Sequence, residues 1–172
     1  MAMLIPSRQL RFCAILLIAI PTAVAAQDKP DFSGRWVLVS SSTPDPSAAQ
    51  ILTVRQTVMR TDVRGRPMEP YFSALIVERQ YVDRAATATY QIGVQGGIVG
   101  GGGAQSRISV RWDGNRLVIE TGSYSGPTRS DGPYSEHTEE WQLDAAGRLV
   151  LSFTERRSSA PEVSNTLTYQ KN

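Results

Sequence analysis

Apolar residues in this chain recur at every second position, in short runs broken by turn residues. No segment carries the three-to-four-residue spacing of an amphipathic helix. Arg107-Ile108-Ser109-Val110-Arg111-Trp112 alternates, Asp113-Gly114-Asn115 turns, and Arg116 to Thr121 returns. Glu140 to Leu143, the turn Asp144-Ala145-Ala146-Gly147 and Arg148 to Phe153 repeat the plan. Ile51 to Gln56, Tyr71 to Val82, Thr87 to Val94 and Val163 to Gln170 add further strands, and imperfect alternation in Tyr71–Val82 predicts a bulge or bend. Ser40 to Ser47 reads as a loop, Ser47 to Gln50 as room for one helical turn, and Thr61 to Pro70 as a polar break. Eight or nine short strands predict an all-β domain: a single antiparallel up-and-down barrel of about eight strands, or alternatively a β-sandwich. A meander closed on itself also removes exposed strand edges.

The first strand opens with Asp31-Phe32-Ser33-Gly34-Arg35-Trp36. A glycine two residues before a tryptophan lets the chain pass close beneath a wide indole, so Gly34 and Trp36 are expected to form the floor of the barrel. Upstream, Arg8 and Arg11 precede the apolar run Phe12 to Ile20, and Ala23-Val24-Ala25-Ala26 precedes a polar segment. That order predicts a signal peptide over 1–26, cleaved after Ala26, and a periplasmic or secreted barrel domain over 27–172 with no integral membrane span. Cys13, the only cysteine, falls inside this leader without small residues before it. The remaining chain then excludes disulfides, thiolate metal sites and cysteine catalysis. Removing 26 of 172 residues leaves 146, enough for one core. The leader holds two arginines and no acid, so 18 basic and 16 acidic residues become 16 and 16. Nucleic-acid or anionic-membrane binding therefore lacks a net basic excess, although a local arginine patch is compatible with the sequence.

With those residues in place, the chain resembles the lipocalin-like, or calycin, barrels, and more closely small exported bacterial domains of that shape without an assigned function. Phe32-Ser33-Gly34-Arg35-Trp36 and the Trp112-Asp113-Gly114…Leu117-Val118-Ile119-Glu120 hairpin carry the resemblance. It implies a ligand-binding barrel whose Gly-x-Trp tryptophan packs under an arginine from a late strand, here Arg156 or Arg157.

The glycine stretch Gly96 to Gly103 has no Lys-Ser/Thr and no following helix, so it reads as a loop between strands rather than a phosphate cradle; Ile98 and Val99 leave it room to act as a lid. In Glu136-His137-Thr138-Glu139-Glu140-Trp141, alternation sets His137, Glu139, Trp141 and Leu143 on one face, the inward one. His137 and Glu139 are expected near the barrel mouth, and Glu136 and Glu140 on the outside against surface arginines. A His–carboxylate pair can transfer protons. One histidine assembles neither a multi-histidine zinc site nor, without a Gly-x-Ser-x-Gly elbow, a serine triad. The sequence thus predicts no catalytic residues, no metal and no cofactor. Tyr90, Trp112, His137, Glu139, Trp141 and Tyr169 are the candidate lining of a cavity or its mouth. The expected partner is a small apolar ligand or an exported protein. Alternatives are a protease inhibitor with Gln27-Asp28-Lys29-Pro30 as its arm and, ranked last, an enzyme using His137 and Glu139.

Overall fold

The structure, a computed structural model, describes residues 29–93, 95–99, 104–125 and 134–172. The predicted signal peptide, Gln27, Asp28 and Gly100–Gly103 lie outside the described residues. The described chain is all-β: β1 (Gly34–Ser41), β2 (Ile51–Thr61), β3 (Pro67–Gln80), β4 (Ala85–Gln91), β5 (Gln95–Val99), β6 (Ala104–Asp113), β7 (Arg116–Ser125), β8 (Ser135–Leu143), β9 (Leu149–Arg157) and β10 (Ala160–Lys171). They form one antiparallel sheet in the order β4-β3-β2-β1-β10-β9-β8-β7-β6-β5. β10 returns to lie beside β1, and that single long-range pairing curls the meander into a barrel instead of two stacked sheets.

Between β4 and β5 the sheet is not laddered, and the corner joining them bridges the gap. The Ile92 N–H donates to the Ser73 carbonyl of β3 at 2.9 Å, and the Gly93 N–H donates to the Val110 carbonyl of β6 at 2.8 Å. Gly93 has φ +86°, which a side-chain-bearing residue rarely adopts. The barrel is thereby nearly closed.

Among the described residues there are ten strands, where the sequence predicts eight or nine. The additional strand, β5, occupies part of the glycine stretch expected to be a loop. Gly96 and Gly97 carry no side chains to reveal alternation, yet their backbone pairs with β6 across a bulge between Gln95 and Gly97. Ser47–Gln50 forms no helical turn. Asp45 draws the chain into a tight turn, accepting from the Ser47 N–H at 2.9 Å and from Ser47 Oγ at 2.6 Å. The Ala48 N–H donates to the Asp45 carbonyl at 3.1 Å, so local side-chain bonding displaces the helix.

Alternation fills the inside with Leu52, Val54, Leu75, Val77, Val110, Leu117, Ile119, Trp141 and Leu149, all buried. One end is packed shut. Phe32 crosses beneath the barrel, stacked on Trp112 (centroids 5.9 Å apart) and tilted against Trp141 (6.1 Å). Trp36 is 1% exposed, and its indole N–H donates to the Phe32 carbonyl at 2.8 Å. Gly34 takes φ +136°, and a Cβ there would lie 2.6 Å from Lys171 Cε. The cation over Trp36 is Lys171, its Nζ 5.3 Å from the ring, and neither Arg156 nor Arg157. Register explains the correction: Trp36 pairs directly with Lys171, whereas Arg156 and Arg157 end β9 at the opposite end of the barrel and pair with Glu162 and Glu155.

Candidate functional site at the barrel mouth

At the other end the interior changes character. The inward row of β3 runs Leu75, Val77, Arg79, and that of β8 runs Trp141, Glu139, His137, so both rows turn polar toward the mouth. Arg79 and Glu139 meet across the barrel, Nη2 to Oε2 at 2.7 Å, with side chains only 13% and 14% exposed. Arg79 Nη1 donates to the Tyr90 hydroxyl at 3.0 Å. The guanidinium lies 5.8 Å from the Tyr90 ring centre and 5.9 Å from that of Trp141. Glu139 Oε2 also accepts from Trp141 Nε1 at 3.1 Å, and Oε1 faces His137 Nε2 at 3.3 Å. Both carboxylate oxygens are thus engaged.

Burial pushes the Glu139 carboxyl upward more strongly than any other single influence. The His137 hydrogen bond, the Arg79 charge and the Trp141 N–H together outweigh it and hold the group below the ordinary carboxylate value. For Arg79, burial acts downward, and the Glu139 charge and Tyr90 reverse it, so the guanidinium stays charged. Burial raises the Tyr90 and Tyr169 phenols, keeping both as neutral hydroxyls. The arrangement is a closed network of a fixed cation, a fixed anion and polar ring edges.

Above it, the segment between β1 and β2 folds over the mouth as a strap. Ala48 and Ala49 are buried, and the Tyr169 hydroxyl donates to the Ala49 carbonyl at 3.0 Å. Asn165 anchors the strap's start: its Oδ1 accepts from the Thr43 N–H at 3.0 Å and from Ser42 Oγ at 2.8 Å, while its Nδ2 donates to the Thr43 carbonyl at 3.3 Å. Between the strap and the polar network lies a cavity of about 280 Å³. Leu151, Phe153, Leu167 and Tyr169 make its apolar wall; Arg79, His137, Glu139, Asp45 and Glu155 supply charged and polar atoms.

Of the residues singled out in the sequence, Tyr90, His137, Glu139 and Trp141 come together around Arg79, and Tyr169 stands on the cavity wall beside them. Trp112 stands apart, at the packed end with Phe32 and Phe72 and with Lys29 Nζ 5.7 Å above its ring. Glu136 and Glu140 face outward to Arg156 and Arg116, at 3.7 and 2.8 Å. The strap and Arg79 are missing from the sequence reading. Arg79 did leave a trace there: it continues the parity of Leu75 and Val77, an arginine at an inward position. A larger depression of about 340 Å³ lies around Gly122, in rows opposite to the inward ones, walled by Arg107, Glu120 and Glu136. No cluster of three or more metal-ligating side chains occurs among the described residues, and no helix there is long and apolar enough to cross a membrane.

Fold and site together define a nearly closed antiparallel β-barrel with one packed end and, at the other, a strapped cavity over a buried ion pair. No family model matches the chain, and no curated protein matches it. Among solved structures, the chain is similar to one described as "REP1-NXSQ fatty acid transporter", at 13% identity and a TM-score of 0.44, over 81% of this chain and 95% of that one. A likeness so loose brings neither that protein's ligand nor its role to this chain.

Proposed function

We propose that the chain is an exported, lipocalin-like binding barrel that holds a small ligand in the strapped cavity and performs no chemistry on it. The cavity carries the reading: about 280 Å³, just below the usual range of small-molecule sites, with aliphatic and aromatic side chains on one wall and a few fixed polar groups opposite. Such a lining suits a compact molecule with an apolar body against Leu151, Phe153 and Leu167 and a polar group turned toward Arg79 and His137. Native mass spectrometry of protein taken from its own host, with extraction of bound lipid and displacement of an apolar probe dye, tests this. Bound small molecule, and dye binding lost in Leu151→Trp, are expected. Uniformly ligand-free protein that binds no dye refutes it. Export is part of the same proposal, and the intact mass of the host's protein is expected to correspond to a chain starting at Gln27.

The protease-inhibitor reading needs an arm free to enter a cleft. Lys29 and Pro30 instead lie on the packed end: Lys29 Nζ donates to the Gly114 carbonyl at 2.7 Å, and Gln56 Nε2 donates to the Pro30 carbonyl at 3.4 Å. Those bonds favour the binding barrel.

A further inference from the structure

Beyond the packed end, β2 and β3 continue without neighbours. β1 pairs with β2 only as far as Val54, and β4 pairs with β3 only from Ala74 onward. Val58 to Phe72 is therefore a two-stranded ribbon projecting past the barrel's ladders, rooted where Phe72 meets Trp112, with four residues of β2 extending it by roughly 13 Å. Its tip is ordered. Asp62 accepts from the Arg64 and Arg66 N–H groups at 2.8 and 2.9 Å and pairs with the Arg66 guanidinium at 2.6 Å; Gly65 takes φ +75° to complete the turn.

Two independent features coincide on this ribbon. Of the nine large apolar side chains that are exposed among the described residues, Val58, Met59, Val63, Met68 and Tyr71 all belong to it, and Val63 at the tip is fully exposed. Exposed apolar residues so concentrated mark a contact surface. The second feature is charge. At this end Asp62, Asp113 and Asp144 are each neutralised by Arg66, Arg116 and Arg148. Lys29, Arg35, Arg55, Arg60, Arg64 and Lys171 make no ion pair among the described residues, against three unpaired acids: Asp31, Glu69 and, on the wall beside Arg35 and Arg55, Glu78. Arg60 and Arg64 are exposed on the ribbon itself, and Arg35 and Arg55 on the wall leading to it. The chain without its leader is neutral overall, so this local excess is a property of the fold.

The geometry points to the ribbon as a peripheral docking arm for an anionic lipid surface, the apolar side chains entering the headgroup layer and the unpaired cations facing the lipid phosphates. A soluble polyanion would satisfy the arginines but give Val63, Met59 and Met68 nothing to enter; a second copy of the chain would bring the same positive charge against itself. A lipid surface satisfies both features at once. The packed end then faces the membrane and the strapped cavity faces away from it.

Co-sedimentation of the full folded protein with vesicles tests this, using phosphatidylcholine alone and phosphatidylcholine mixed with phosphatidylglycerol. Binding is expected only to the anionic vesicles and is expected to weaken as salt rises. Arg60→Ala/Arg64→Ala removes two exposed cations, each worth about fivefold in partition, so binding is expected to drop about 25-fold with an unchanged far-ultraviolet circular dichroism spectrum. Val63→Trp places an indole reporter at the tip, and its emission is expected to shift to the blue on anionic vesicles. Failure to bind anionic vesicles, equal binding by the double variant, or an unshifted emission from the Val63→Trp protein each overturns the proposal. Retention on heparin without vesicle binding, or salt-independent self-association, overturns it in favour of a soluble polyanion or a second copy. None of these readouts depends on whether the cavity holds a ligand.

Discussion

Replacing Arg79 by methionine removes the charge at the centre of the barrel, with the guanidinium that faces Tyr90 and Trp141, while keeping an unbranched apolar side chain of similar length. Glu139 then remains 14% exposed with no cation at 2.7 Å, retaining only the His137 and Trp141 hydrogen bonds. Removing one partner of a buried pair costs about 3–5 kcal/mol, most of it the penalty of the charge left behind. Glu139→Gln strands the guanidinium in the same way, while its amide oxygen can still accept from Trp141. The double variant strands neither charge, so the two losses should fail to add, with a coupling of about 2–3 kcal/mol. The pH dependence follows from the lowered Glu139 carboxyl. A depressed folded value contributes stability above the unfolded carboxylate value of about 4.3 and loses it as pH falls through the folded one. Protonation removes the charge that Arg79 compensates, so the gap between wild type and Arg79→Met should narrow in acid. Urea unfolding at neutral pH and again below about pH 4, with matched m-values, measures both effects. An Arg79→Met protein within about 1 kcal/mol of wild type, or a gap unchanged in acid, refutes the claim that the pair is buried and ionised.

Trp36→Ala should cost about 3–5 kcal/mol in urea unfolding, as for other buried Trp truncations, and leave ligand binding intact in whatever fraction stays folded; a fully stable variant that lost only binding contradicts its place in the floor. Gly34→Ala combines positive φ with a Cβ 2.6 Å from Lys171 Cε, so a loss of about 1–3 kcal/mol is expected, and Lys171→Ala should relieve the steric part but not the backbone part. Asn165→Ala removes acceptor and donor together from the start of the strap; about 1–3 kcal/mol should be lost, and amide exchange over Ser42–Gln50 should quicken more than in the barrel strands.

What was legible in the sequence is what local chemistry decides. Asp144-Ala145-Ala146-Gly147-Arg148 announces a hairpin because the aspartate caps the turn's own N–H groups and glycine supplies φ +74°. The same pattern stands in Asp62-Val63-Arg64-Gly65-Arg66, with the same bonds, yet that segment reads as a polar break because no clean alternation flanks it. Bulges at Thr57/Val58 and Met59/Thr61 scramble the period there, and the ribbon has no core to face. Alternation likewise set His137, Glu139 and Trp141 on one face correctly, but could not show what they meet.

The partner of Glu139 lies sixty residues upstream, on a strand that is not its neighbour in the sheet. No periodicity links such positions; only closure of the barrel brings β3 opposite β8. The same closure gives the ion pair its consequence. In an open sheet Arg79 and Glu139 would each be solvated and nearly independent, whereas across a barrel interior each charge is tolerable only while the other is present. A ligand in the strapped cavity meets that pair already assembled, with both carboxylate oxygens engaged and the guanidinium held against two aromatic rings. The pair itself therefore offers a polar group a fixed dipole, and Asp45 and Glu155 are the carboxylates of the cavity lining that stand outside that network. Under the binding function proposed above, a ligand at this mouth is selected by shape and orientation against a pair that is already satisfied.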